Sequence, residues 1–359
     1  MKRREEMKAK ASDFLKYDEE KKTYKMDAEQ AVRDDVEKHY WLHVVRTIVK
    51  DWRLYIMLIP MILVFLLWRY LPMYELLGCF KLYKESTPVA DRLFIGFSSF
   101  KTLFAGSGPS ASLSLDFWRA MRNTFLLSFY GLLFGFPMPI ILALFFNEVR
   151  SNIARSVYQV MTYLPKFMST VVMTSLTIML VRSTSTFNGM GVISNLLYHL
   201  GWISEEVANG GLLNQPGLFR AIYQITGIWE GAGYDSIVFF AAIIAISPTS
   251  YEAAQIDGAG KMAQMRYVVL PSILSTIVIM LITRIGSLLS IGYEKVLLLY
   301  NPNTYTTADV VSTLSYRLGI EGGLKGVASA AEMMNNVVGM LLVIGANTIA
   351  RKASDVSLY

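Results

Sequence analysis

The sequence predicts an all-α membrane protein with six transmembrane helices. Three observations carry that expectation. Charge is sparse: 17% of the 359 residues are charged and 53% are hydrophobic, with mean hydropathy +0.38, against roughly a quarter charged in a soluble domain. Charge is also segregated, with a dense head at the N-terminus and several charge-free runs after it. Finally, the apolar runs approach the roughly 20 residues needed to cross about 30 Å of hydrocarbon. They are too long and too evenly apolar for barrel strands, and only helices or closed barrels satisfy their backbone within hydrocarbon.

Residues 1–53 form a head that mixes both signs of charge and is expected on the cytoplasmic side. Within it, Ala31, Val32, Val36, Trp41, Val44, Val45 and Ile48 recur at helical spacing. This fits an amphipathic helix on the membrane surface, and equally a solvated tail. The head opens with about fifty polar residues and has no signal peptide. Net charge is +6, but the basic residues sit mainly in the head, beside the first span. Anionic membrane lipid is therefore the expected partner of that charge, and nucleic acid is not.

A permease-like region at 54–350 follows, with spans expected at 54–71, 123–146, 157–181, 222–246, 267–289 and 333–350. Arg53 and Arg69 flank the apolar centre of the first and can snorkel to headgroups. The tract 72–117 is polar and reads as an outside loop. The second span carries no charge. Pro165 and Lys166 interrupt the third. A Gly- and Asn-rich outside loop at 182–220 precedes the fourth, which holds Glu230 and Asp235. The fifth contains Arg284, and a third outside loop at 292–331 leads to the sixth. Residues 351–359 form a short tail. Six spans place both termini on one side, and the Lys and Arg of the head put that side in the cytoplasm.

The polar connector at 247–271 joins the fourth and fifth spans on the same side. Thr249 or Ser250 can cap a helix opening at Tyr251, and Glu252 then lies in a first turn that favours a carboxylate. Asp257 and Gly258 break the helix, since glycine takes the left-handed backbone of a tight turn. A second helical piece leads to Leu270 and Pro271. Taken by itself, the connector is either an ordinary cytoplasmic loop or an element that inserts into a groove on a soluble partner.

The order Glu252-Ala253-Ala254, then Asp257-Gly258-Ala259, then Leu270-Pro271 resembles the EAA loop of permease subunits of ABC importers. Met265 stands where phenylalanine is usual, and Ser275 where a second proline is usual. The similarity extends over nearly the whole chain to the polysaccharide-type sugar permeases. It is carried by Asn123-Thr124, Ala143-Leu144, Asn147-Glu148-Val149-Arg150, Tyr163-Leu164-Pro165 with Phe167 and Ser169, and Trp229 and Ser236. Further matches are Ile285-Gly286, Gly292-Tyr293-Glu294, Leu298-Leu299-Tyr300-Asn301-Pro302, Asp309-Val310-Val311-Ser312-Thr313 and Ser357-Leu358-Tyr359. Only the head has no clear counterpart.

The resemblance implies a type I ABC importer permease fold in a bacterial cytoplasmic (inner) membrane. It implies a second, homologous permease, two ABC ATPase subunits and an extracytoplasmic sugar-binding protein as partners. The solute would be an oligosaccharide or polysaccharide fragment. Glu252 would approach a basic residue of the ATPase, and Ala253 and Gly258 would allow close contact there. ATP and Mg would sit on that subunit, with no cofactor in this chain. The residues agree that the energy source lies elsewhere, because no Gly-x-x-x-x-Gly-Lys-Ser/Thr loop is present to cradle phosphates and no catalytic constellation is visible.

Ionisable residues at membrane depth mark function by default. Lys166 is read either as facing an aqueous cavity, where it meets sugar hydroxyls or a carboxylate, or as turned to a neighbouring carboxylate or the surface. Glu230, Asp235 and Arg284 carry the same two readings. Tyr163, Trp229 and Tyr234 are either stacking surfaces for sugar rings or interface anchors. His39, His43 and His199 form no metal set, and the single cysteine, Cys79, excludes an internal disulfide. Rival readings are an ABC permease for an amino acid or phosphate, an ion-coupled secondary carrier, which would need buried coupling carboxylates, and a membrane enzyme.

Overall fold

Hydrophobic runs broken by proline and glycine fold here into long helices with defined bends. The computed structural model describes residues 40–84, 87–106, 111–182 and 191–353. Among them the only β pairing is one isolated antiparallel bridge between Lys81 and Phe94. The chain divides into two units, 1–74 and 75–359.

In the first unit, α1 (Tyr40–Lys50) is an amphipathic helix, which covers the last part of the expected surface helix; residues 27–39 lie outside the described range. It is followed by α2 (Trp52–Phe65), whose helical path continues to Phe80. The run Trp52–Phe80 is long and apolar enough to cross a membrane, and none of its most apolar window is buried within the chain. Leu, Ile, Met and Phe face outward on all sides, as suits a helix whose solvent is lipid.

The second unit holds α3 (Ser98–Ala105) and then a 38-residue helix, α4 (Ala111–Glu148), with a π turn at Gly131–Gly135. Next come α5 (Asn152–Phe167), α6 (Thr170–Val181), α7 (Val192–His199), α8 (Glu205–Gly210) and α9 (Pro216–Ile244). Then follow α10 (Pro248–Ile256), α11 (Lys261–Ser272), α12 (Leu274–Gly286), α13 (Tyr293–Leu299), α14 (Val311–Tyr316) and α15 (Lys325–Ala353).

Four described helices are long and apolar enough to span, or six if each of two bent pairs counts as one span. The third expected span is such a pair. α5 and α6 meet at 101°, where Pro165 lacks an N–H to continue the ladder and the Ser169 hydroxyl accepts from Val172 N at 3.3 Å to start α6 afresh. The fifth breaks by 62° between α11 and α12.

The expected outside loop at 72–117 is largely helical. The first turns of α4 bear Asp116, Arg119 and Arg122, and so read as loop. Their opposite face buries Phe117 and Ala120 in a core with Cys79, Leu103, Val311, Leu314, Ala330 and Ala331. The same core draws the start of the last helix back to Lys325, because the small residues Ala330 and Ala331 let it approach closely.

Two further cores set the ends of the unit. One joins Leu127, Phe219, Val296, Leu299, Ala308 and Val310. The other joins Ala143, Phe239, Ile243, Val269 and Ile273, with Tyr251 and Leu270 packed against it. Between them α5 crosses α9 at Gly233, where an added Cβ would lie 2.1 Å from the Thr162 carbonyl oxygen. Only glycine permits that approach.

Candidate functional site

Two features stand out, an exposed helix–turn and a charged cavity. The helix–turn is α10 with the residues that follow it. α10 begins three residues before the expected start at Tyr251, because Pro248 suits the first helical position. Ser247 takes the N-cap position, and its hydroxyl pairs with that of Thr249 at 2.7 Å rather than capping the backbone. Glu252 therefore lies in the second turn and points outward.

The helix ends in a Schellman arrangement. Ala259 N donates to Ala254 O at 2.9 Å and Gly258 N to Gln255 O at 3.0 Å. Gly258 has φ +76°, and an added Cβ there would meet nothing within 4 Å, so the backbone alone demands glycine. Gln264, buried, donates from Nε2 to Ala259 O at 2.9 Å and ties α11 to the turn.

No residue of α10 is buried. Glu252, Ala253, Asp257 and Gly258 are exposed, as is Ile256 at 87%. The inner side is anchored. Leu270 packs on the core beneath, while Pro271 sits at the last turn before the 62° bend. Tyr251 bonds the Asn147 side chain, and burial, reinforced by nearby Glu148, pushes its phenol pKa up. Glu148 meets Lys261 at 3.3 Å. The Asn147–Arg150 turn is thus the seat of the exposed helix.

The second feature is a cavity of about 460 Å³ lined by α4, the α5–α6 bend, α9, the end of α12 and the strap at 287–295. Side-chain bonds from three helices hold the strap's carbonyls. Ser128 Oγ donates to Leu288 O, Asn335 Nδ2 to Leu289 O at 3.1 Å and Ser312 Oγ to Ile291 O at 3.0 Å. Six charged residues line the space: Lys166, Arg284, Lys295, Glu230, Asp235 and Glu294. Lys295 Nζ meets Glu230 Oε2 at 2.9 Å, with the two side chains 13% and 18% exposed.

Of the candidate path residues, Lys166 and Asp235 come together in this cavity. Lys166 is exposed in the 3-10 turn Leu164–Phe167, as the proline break lifts it off a continuous helix. The three aromatics lie elsewhere. Tyr163 packs edge-on against Phe146 at 6.3 Å, and Tyr234 against Phe167 at 6.1 Å. Trp229 lines a separate, apolar cavity of about 370 Å³ between α6, α7 and α9. Glu230 and Arg284 reach the charged cavity as well. Lys295 escaped sequence reading, since it follows Gly292-Tyr293-Glu294 in an apparent outside loop and its partner lies 65 residues away.

Beside the cavity a polar network fixes the segment 301–317. Asp309 is fully buried. It accepts from Arg317 at 2.7 and 3.3 Å and from Thr313 at 2.8 Å. Asn123 donates to the carbonyls of Thr306 and Asp309 and accepts from Arg220 at 2.9 Å. Burial, with Tyr305 beside it, pushes the Tyr300 phenol up to about 12.

Residues 135–293, which contain the exposed helix–turn and much of the cavity lining, match the family described as binding-protein-dependent transport system inner membrane component. The protein LplB of Bacillus subtilis (strain 168) is 36% identical over 310 residues, 86% of this chain and 92% of LplB. The chain belongs to that family. The permease is also 35% identical to the polygalacturonan/rhamnogalacturonan transport system permease protein YteP of the same organism, over 85% of this chain and 90% of YteP. Its fold is similar to a chain in the crystal structure of a bacterial alginate ABC transporter in complex with an alginate pentasaccharide-bound periplasmic protein. There the TM-score is 0.75 and identity 41%, covering 87% of this chain and 99% of that one.

Proposed function

We propose that this permease is the non-catalytic membrane subunit of an ATP-driven, binding-protein-dependent importer of oligosaccharides or polysaccharide fragments. The observation that carries the reading is α10 with its turn: a helix with no buried residue, seated on a packed core and presenting Glu252, Ala253 and Gly258 outward. Such an element is built to be gripped by a partner and to move what lies beneath it. Motion of α10 passes through Tyr251 and Leu270 to α4, α9 and α11, and of these α4 and α9 border the cavity.

The partners in this reading are a second homologous permease, two ATPase subunits that hold ATP and Mg, and an extracytoplasmic sugar-binding protein. The chain lies in the bacterial inner membrane with both termini in the cytoplasm, so α10 faces the ATPases and the strap end faces the binding protein. Lys166 and Asp235 lie on the solute path, since sugar hydroxyls accept from an ammonium and donate to a carboxylate. The carbohydrate class draws on the polysaccharide systems in which similar permeases are named.

Reconstitution of the four membrane-associated subunits with the binding protein tests this. Labelled oligosaccharide should enter proteoliposomes only with ATP, binding protein and this chain all present. Uptake by the chain alone would overturn the reading.

A further inference from the structure

The cavity's charges differ in how they are satisfied. Lys295 is largely enclosed, lies over the Tyr223 ring at 5.4 Å from its centroid, and holds Glu230 at 2.9 Å. An ammonium in that setting is costly to leave without a counter-charge. Lys166 and Arg284 line the same space without an ion pair among the described residues. Two carboxylates remain. Asp235 is turned back along its own helix, with Oδ2 3.7 Å from the position of a Cβ on Gly231. Glu294 is exposed in the first turn of α13. Neither lies within salt-bridge distance of the lining cations among the described residues.

We infer that Glu230 is a placeholder for a carboxylate of the solute. The cavity reads acidic sugars, those bearing uronate carboxylates, through Lys295 with Lys166 and Arg284. Before solute enters, Glu230 holds Lys295. A uronate entering the space displaces it, while Lys166 and Arg284 take neighbouring carboxylates along the chain of the sugar. The exchange conserves the charge paired at Lys295, so the enclosed ammonium is never exposed alone. This inference rests on the import reading above and adds the solute chemistry of its cavity.

A placeholder and a structural ion pair predict opposite outcomes. The test is equilibrium dialysis of labelled trigalacturonate, and of its methyl ester, against the purified permease–ATPase complex without binding protein. The acid should bind, and the uncharged ester about tenfold or more weaker. Glu230→Gln frees Lys295 and should tighten acid binding several-fold. Lys295→Gln should weaken it about tenfold, and Lys295→Arg should retain it. ATPase retained on each variant complex shows that it has folded.

Loosening by both Glu230→Gln and Lys295→Gln would make the pair structural and overturn the inference. So would equal binding of acid and ester, or no binding of the acid at millimolar concentration. A chain that carries no ATPase at all would instead overturn the import reading itself.

Discussion

Gly233→Ala places one methyl group where two helices touch. An ideal Cβ at Gly233 would sit 2.1 Å from Thr162 O and 2.5 Å from Thr162 C, and both are backbone atoms that no rotamer change can clear. α5 must move by about 1 Å to restore contact distance, and overpacking of that kind costs about 1–3 kcal/mol. The helix propensity of alanine returns about 1 kcal/mol of this. A clash this deep with backbone atoms falls at the upper end of that range, so the net expectation is a loss of about 2 kcal/mol, read as a lower melting temperature in detergent. Uptake should fall further than stability, since α5 carries the bend that presents Lys166 to the cavity. Gly217→Ala in the same helix is the control, because nothing lies within 4 Å of its added Cβ, and it should leave stability unchanged or slightly raised. A Gly233→Ala protein that melts with the wild type would refute the close crossing.

Two further perturbations probe the segment beside the cavity. Arg317→Met leaves the Asp309 carboxylate fully buried without its cation, and should destabilise by about 3–5 kcal/mol, read by denaturation of the solubilised complex; Arg317→Lys should recover part of that. Tyr300, with its pKa raised from 10.0 to about 12, disfavours ionisation in the folded state. Its contribution is therefore complete below pH 10 and lost as pH rises through 12. Tyr300→Phe should remove that alkaline loss from a stability–pH profile.

Much of this architecture was legible in the chain, and the exceptions have physical causes. Apolar runs located the helices that are long and apolar enough to cross a membrane, because outward-facing residues such as those of α2 need no partner. The turn at Asp257-Gly258 was legible because a positive φ selects glycine locally. Helix starts were not. Phe117 and Ala120 bury one face of a stretch whose other face is charged, and only tertiary contact with Leu103 and Ala330 reveals it as helix. Tyr163, Trp229 and Tyr234 looked alike in sequence, yet Phe146, Phe167 and an apolar cavity engage them separately. The partnership of Glu230 with Lys295 is the hardest case, since two charges 65 residues apart carry no periodic signal, and only the path of the strap brings them together.

In the proposed importer, α10 transmits the work of an ATPase. The most direct measurement is how much ATPase stays with affinity-purified permease when Glu252 is replaced. Glu252 is exposed on a helix with no buried residue, so Glu252→Arg should leave the permease folded. Wild type should retain the ATPase, and Glu252→Arg should lose most of it. A Glu252→Arg permease that keeps its full complement of ATPase, and imports as the wild type does, would contradict the account.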